Sequence, residues 1–226
     1  MNPGWIWVVI GIAFLDWYAI WNENERLNWF TKPAVILSLL IWLGASTGFH
    51  GRLLWFGLAL VFGLLGDIFL LLPRRFFFAG LVTFLLGHVA YIVGLWFPLS
   101  QFRFPHLILS ILIVALLALI APTILRGMSA KEFSRKLRAP VILYMLIISA
   151  MVFFAVSTLF QASWHMPASL LAALGGAVFF CSDSMLAYRE FVHPFPKARF
   201  WVRVTYHLAQ IALTAAALVN FGGMSL

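Results

Sequence analysis

Long apolar stretches alternate with short polar ones along the whole chain. Eight of these stretches are long enough, or nearly so, to cross about 30 Å of hydrocarbon as a helix that rises 1.5 Å per residue. They run from Trp5 to Trp21, Pro33 to Phe49, Leu53 to Leu72, Phe76 to Phe97, Pro105 to Leu125, Pro140 to Phe160, Pro167 to Tyr188 and Phe200 to Phe221. The pattern predicts an all-α membrane protein whose eight transmembrane helices form a single bundle.

The composition agrees with this interpretation. Of the 226 residues, 64% are hydrophobic and only 10% are charged. The mean hydropathy of +1.01 lies far outside the range of soluble globular proteins. Turn residues such as Pro73-Arg74-Arg75 fall between the apolar stretches, and no linker divides the sequence. We therefore expect one integral-membrane helical domain over residues 1–226, with any chemistry inside the bilayer or at its surface.

The basic residues are distributed unevenly about the predicted helices. A net charge of +8 could point to a nucleic-acid partner, but 13 of the 15 Lys and Arg residues fall on one side of the predicted membrane. Only Arg52 and Arg103 fall on the other side. Cytoplasmic loops are rich in Lys and Arg, so this split places both termini outside the cytoplasm. We expect a multi-pass protein of the bacterial inner membrane, with membrane lipid and no nucleic acid as a partner.

Two aspartates interrupt helices that are otherwise almost wholly apolar. Asp67 lies on the third predicted helix and Asp183 on the seventh. Each is about five residues, roughly 8 Å, from the cytoplasmic end of its helix. A carboxylate at this depth costs several kcal/mol unless it is paired, protonated or facing an internal cavity. Two carboxylates at matching depth therefore indicate a functional pair.

Other polar side chains share the same half of the predicted bundle. Lys32 is expected to open the second helix at the cytoplasmic surface. His88 and Tyr91 lie on the fourth helix, and Tyr206 and Gln210 enter from the cytoplasmic end of the eighth. Tolerated polar residues scattered at random would not favour one leaflet, so these side chains are predicted to converge on one pocket.

Asp16, on the first predicted helix, has a simpler interpretation. Near the interface its side chain can reach water or pair with Lys32, so it is not included among the catalytic candidates. Cys181 is the only cysteine, which leaves no internal disulfide and no multi-cysteine metal site.

Five short motifs contain most of the polar residues described above. They are Thr31-Lys32-Pro33, Gly66-Asp67, GLVTFLLGHVAY at residues 80–91, GAVFFCSDSMLAYREF at residues 176–191 and YHLAQ at residues 206–210. Their order and spacing resemble those of the YhhN-like lysoplasmalogenase family over the predicted helices two to eight. That family usually has a second tyrosine where this chain has His207, so His207 is not carried over as a functional residue.

The resemblance implies hydrolysis of the vinyl ether bond of lysoplasmalogens, a class of lysophospholipid, to a fatty aldehyde and a glycerophospho-head-group alcohol. A vinyl ether is hydrolysed when a proton is delivered to an alkene carbon and water captures the resulting oxocarbenium ion. This needs one protonated carboxyl group and one ionised group, so Asp67 and Asp183 are the predicted catalytic pair, with their two roles left open. We expect no metal or other cofactor.

The remaining members of the pocket are predicted to bind the substrate. Lys32 is the expected contact for the phosphate, as a point charge, with Arg203 as a second candidate. The substrate and the attacking water are expected to be oriented by His88, Tyr91, Tyr206 and Gln210.

Two other functions remain open at the level of the sequence. A metal-dependent membrane amidase of the ceramidase kind could use His88, His207, Asp67 and Asp183 as ligands, although no two histidines are spaced four apart. A small transporter or lipid-binding protein could use the aspartates to relay protons, although matching helices broken by glycine or proline are lacking. Aldehyde release from a lysoplasmalogen would distinguish the predicted hydrolase from both.

Overall fold

The structure, a computed structural model, describes residues 4–129 and 136–223. Within these ranges the chain forms helices and connecting turns without any strand, which confirms the all-α prediction. In this part of the chain seven helices are long and apolar enough to cross a membrane, and α1, with 17 residues, is apolar but shorter. The helices are α1 (Trp5–Trp21), α2 (Glu25–Thr47), α3 (Leu53–Leu71), α4 (Phe77–Leu95), α5 (Phe104–Ser129), α6 (Arg138–Ser157), α7 (Met166–Phe191) and α8 (Ala198–Phe221).

Three prolines lie where the sequence pattern predicts them, in the first turns of helices. Pro105 is the second residue of α5, Pro140 the third of α6 and Pro167 the second of α7. The backbone N–H groups of the first turn have no partner within the helix, so a proline there removes no hydrogen bond.

The predicted start of α2 at Pro33 is wrong. The helix begins eight residues earlier, at Glu25, and Pro33 lies in its interior. The Asn24 side chain accepts a hydrogen bond from the backbone N–H of Leu27 at 3.1 Å, which caps the new start. Lys32 therefore lies about 10 Å inside α2, where it was expected at the surface.

The helices pack around α8, whose neighbours are α7, α3, α2 and α1. α4 joins α3 to α6, and α5 lies outermost against α6 and α7. Two glycines bring α7 close to both of its neighbours. A Cβ atom added to Gly175 would lie 2.9 Å from Leu213 Cγ of α8, and one added to Gly176 would lie 2.7 Å from Ala155 Cβ of α6. Small residues at such contacts allow tight helix packing in membranes.

The outer surface of the bundle is apolar. Large hydrophobic side chains are exposed on several helices, including Trp7, Phe14, Leu112, Leu119 and Leu174. An exterior of this kind is stable in lipid and would aggregate in water. Together with the long apolar helices, it identifies an integral membrane protein.

The membrane topology, with eight spans and both termini outside the cytoplasm, stays a prediction. Two of the basic residues counted on the cytoplasmic side, Lys131 and Arg135, lie outside the described residues.

Candidate active site

A cavity of about 340 Å³ lies between α2, α3, α7 and α8 at the basic end of the bundle. It extends from the exposed Arg74 and Arg199 to the buried Asp67. Asp183, from α7, also lines it. Four of the seven predicted site residues face this cavity, namely Lys32, Asp67, Asp183 and Tyr206.

Lys32 and Asp67 form a buried salt bridge between α2 and α3. Lys32 Nζ lies 3.2 Å from Asp67 Oδ1, and the two residues are only 5% and 1% exposed. Among the described residues, the second carboxylate oxygen, Asp67 Oδ2, is buried without a hydrogen-bond partner. Buried polar atoms are nearly always hydrogen-bonded, so an unpaired oxygen beside a cavity is available to a ligand or a water molecule.

Asp183 lies in a different environment, in a cluster with His88 of α4 and Tyr144 of α6. His88 Nε2 is 3.1 Å from Asp183 Oδ2 and 3.0 Å from the Tyr144 hydroxyl. The Tyr144 hydroxyl in turn donates a hydrogen bond to Asp183 Oδ2. Within the described part of the chain, no Lys or Arg forms a salt bridge with Asp183.

Tyr144 is the member of the site that the sequence pattern did not reveal. It lies in an apolar helix at a position where a tyrosine most often serves packing, and no spacing relates it to Asp183. The one available signal was its hydroxyl group in an otherwise apolar stretch, which without the neighbouring helices had no visible partner.

A chain of hydrogen bonds runs behind the cavity from α4 to α8. Tyr91 donates its hydroxyl hydrogen to Gln210 Oε1, and Gln210 Nε2 donates to the Tyr206 hydroxyl at 3.3 Å. Gly63 of α3 makes room for this chain, because an added Cβ would lie 3.0 Å from Gln210 Nε2. Tyr91, Gln210 and His88 do not line the cavity. Gln210 and His88 contact Tyr206 and Asp183, which do, and Tyr91 is linked to the cavity through Gln210.

Asp16 neither reaches water nor pairs with Lys32, the two alternatives that the sequence offered, because it is fully buried and has other partners. Asp16 Oδ2 accepts a hydrogen bond from Arg203 Nη1 at 2.7 Å, and Oδ1 accepts one from the Thr31 hydroxyl at 2.7 Å. The same Arg203 nitrogen donates to Asn28 Oδ1 at 3.0 Å. Because α2 starts about two turns earlier than expected, Lys32 lies deep enough to reach α3, and Asp16 pairs with α8 instead.

The ligand set of the alternative amidase is not assembled. His207 Nδ1 accepts a hydrogen bond from Trp17 Nε1 at 3.2 Å, which holds this histidine against α1. Across residues 4–129 and 136–223, no three His, Cys, Asp or Glu side chains come together as a possible metal site.

Known proteins and one family model are similar to most of the chain. The YhhN family model matches residues 27–217, a range that contains both aspartate clusters. The human protein named Lysoplasmalogenase TMEM86B is 27% identical over 207 residues, covering 89% of this chain and 81% of the relative. The rat and mouse proteins of that name are both 28% identical, covering 93% and 91% of this chain and 83% of each relative. No solved structure matches the chain.

Proposed function

Because the chain belongs to the YhhN family, we propose that it hydrolyses the vinyl ether bond of a lysoplasmalogen to a fatty aldehyde and a glycerophospho-head-group alcohol. Relatives named as lysoplasmalogenases, which align with most of the chain, support this substrate class. Asp67 and Asp183 line one cavity, and this arrangement is the main support for the proposal. Two carboxyl groups facing one substrate can divide proton delivery and water activation between them.

The different partners of the two aspartates favour different roles. Asp67 lies against the ammonium group of Lys32 and forms an ion pair with it. Asp183 has only His88 and Tyr144 as partners within the described residues. Because Asp67 is paired with a cation and Asp183 is not, we assign Asp67 as the ionised base and Asp183, held by His88 and Tyr144, as the proton donor.

The proposed hydrolysis proceeds in three steps, and each proton that one aspartate gives or takes is returned by the end. Asp183 delivers its proton to the alkene carbon that is remote from the ether oxygen, and the adjacent carbon becomes an oxocarbenium centre. Water attacks that centre and gives a proton to Asp67, which forms a hemiacetal. The hemiacetal hydroxyl returns a proton to Asp183 as the C–O bond breaks, and Asp67 protonates the departing glycerol oxygen. Both aspartates end as they began.

The residues behind the cavity are positioning groups. Gln210 and Tyr91 hold the hydroxyl of Tyr206 at the cavity wall, where it can orient water or substrate. His88 and Tyr144 hold Asp183 through one of its oxygens and leave the other for the substrate. A fixed orientation of this kind is a major source of catalytic rate.

The mouth of the cavity suits an anionic head group. Its lining contains five Lys or Arg residues against three Asp or Glu, a surplus of positive charge. The head-group contact predicted for Lys32 stays a prediction, but Lys32 is held by Asp67, and Arg203 by Asp16. The exposed Arg74 and Arg199 lie nearer the entrance, where a phosphate at the membrane surface can reach them. Arg199 would exchange its exposed ion pair with Glu25 for that contact.

All eight helices cross the bilayer with both termini outside the cytoplasm, as the distribution of basic residues predicts. The length of 17 residues in α1 is at the lower limit for a transmembrane helix. In the inner membrane of a bacterium, the cavity then opens toward the cytoplasm and receives substrate from the cytoplasmic leaflet.

The test is aldehyde release by the purified protein in detergent micelles. A lysoplasmalogen should yield aldehyde, whereas its saturated ether analogue should not. Asp183→Asn should slow release by about 10²–10⁴-fold. Glu23→Gln, which removes an exposed carboxylate outside the cavity, should have no effect. Absence of aldehyde from the wild-type protein would reject the proposal, and activity on an amide that is lost on chelation and restored by zinc would favour the amidase.

A further inference from the structure

A second, almost wholly apolar cavity adjoins the polar one. This cavity, the apolar seam, has a volume of about 60 Å³ and lies between α4, α5, α6 and α7. The seam and the polar cavity share part of their walls, including Phe84, Asp183 and Leu186. The rest of the seam is lined mainly by hydrocarbon side chains such as Leu81, Leu117, Ile120, Ile148, Phe180 and Ala187.

The seam continues to the outside of the bundle. A shallow groove of about 440 Å³ runs between α5 and α7, lined by residues that include Leu119 and Met185. This lateral groove shares Ile120, Ile124 and Ser184 with the apolar seam. The three spaces therefore adjoin one another in sequence, from the basic mouth, past Asp183, to the surface that faces lipid.

We propose that the apolar seam and the lateral groove bind the hydrocarbon chain of the lysophospholipid substrate. The chain leaves the bundle sideways between α5 and α7 while the head group occupies the polar cavity. This inference rests on the proposed function, because it concerns the same substrate. This route avoids the contact between α7 and α8, where the helices pack so closely that a Cβ added to Gly175 would lie 2.9 Å from Leu213 Cγ.

The chemistry of the substrate matches the change in polarity along this path. In a lysoplasmalogen, the vinyl ether bond joins the polar glycerol to the hydrocarbon chain. In the protein, Asp183 stands where the polar cavity meets the apolar seam. A molecule with its head group in one cavity and its chain in the other therefore places the bond to be broken beside the proposed proton donor.

α5 is the wall that yields when the chain enters. A seam of about 60 Å³ holds only a few methylene groups, so it must widen to admit a long chain. In α5 only His106, Ile124 and Met128 are buried, whereas α8 is buried along most of its length. An outward shift of α5 breaks few internal contacts and exchanges them for contacts with lipid.

Bulky substitutions in the seam test the proposal through chain-length selectivity. Ile120→Trp and Ala187→Phe narrow the seam from opposite walls. Two lysoplasmalogen substrates are compared, one with an alkenyl chain of about sixteen carbons and one with about four. In both variants, kcat/KM for the long substrate divided by kcat/KM for the short one should fall about tenfold or more. Ala115→Phe, on the exposed face of α5 away from both cavities, should leave the ratio unchanged. If the ratio is unchanged in both seam variants, including the case in which activity falls equally with both chain lengths, the proposal is overturned.

A binding measurement separates this inference from the proposed function. A saturated ether lysophospholipid with a diazirine at the end of its chain can be photolysed with the protein in nanodiscs and the labelled peptides sequenced. Labels should concentrate at residues 117–124 and 184–188, with or without turnover of vinyl ethers. Labels confined to α1, α2 or α8 would overturn the chain site even in an active enzyme. If the protein releases no aldehyde from any vinyl ether, the proposed function is wrong, but the labelled residues still decide whether the hydrocarbon chain binds in the seam.

Discussion

Lys32→Met should destabilise the protein by removing the cation opposite Asp67. At 3.2 Å, two unit charges in a medium of effective dielectric constant about 20 attract each other by about 5 kcal/mol. Breaking a buried ion pair by removing one partner costs about 3–5 kcal/mol. We expect a loss of this size in the free energy of unfolding, because among the described residues no Lys or Arg other than Lys32 forms a salt bridge with Asp67.

A double variant separates stability from activity. Lys32→Met with Asp67→Leu removes both charges, so the free energy of unfolding should return to within about 1 kcal/mol of the wild-type value. Activity should be lost in the double variant even though stability returns, because Asp67, the proposed base, is absent. Unfolding in micelles can be followed by tryptophan fluorescence, since the chain has 10 tryptophans. Lys197→Met, which removes an exposed lysine, is the matched control and should cost less than about 1 kcal/mol.

Two results would contradict the buried charged pair. A single Lys32→Met variant as stable as the wild-type protein would mean that Lys32 and Asp67 do not form a charged pair. A double variant as unstable as the single one would mean that the loss comes from packing around the lysine stem and not from an unpaired carboxylate.

Three other predictions concern the site, the packing and the topology. Tyr144→Phe should lower kcat about tenfold with little change in KM, because the hydroxyl orients Asp183 without touching the head group, and steady-state kinetics will separate the two constants. Gly176→Leu should destabilise the bundle by about 1–3 kcal/mol through overlap with Ala155, whereas Gly11→Leu, with nothing within 4 Å of an added Cβ, should not, as denaturant unfolding can measure. A reporter active only outside the cytoplasm should be active when fused to either terminus, and activity of a cytoplasmic reporter at the C-terminus would contradict the eight-span topology.

The helices themselves were predictable because hydrophobicity is a local property of the sequence. Each predicted apolar stretch coincides with a helix, and most boundaries agree within a few residues. The main error, the start of α2, has a local cause. Residues 25–32 are polar or mixed, and a hydropathy pattern does not detect a helical turn that extends beyond the apolar segment.

The depth of the polar groups was also available from the sequence. The rise of 1.5 Å per residue places Asp67 and Asp183 in the same half of the bundle without knowledge of their neighbours. The order of the helices along the chain then brings the basic residues to that end. A polar site in this half could be predicted on these grounds, and the structure places both aspartates in one cavity there.

Only the tertiary structure decided which side chains meet. Lys32 pairs with Asp67 and Asp16 pairs with Arg203, and the contact of Tyr144 with Asp183 could not be inferred from the spacing of the two residues. Depth along a helix is a one-dimensional quantity, whereas a contact depends on how each helix is rotated and which helix lies beside it. Those variables are set by close packing between helices, as at Gly63 and Gly176, and packing involves residues far apart in the chain.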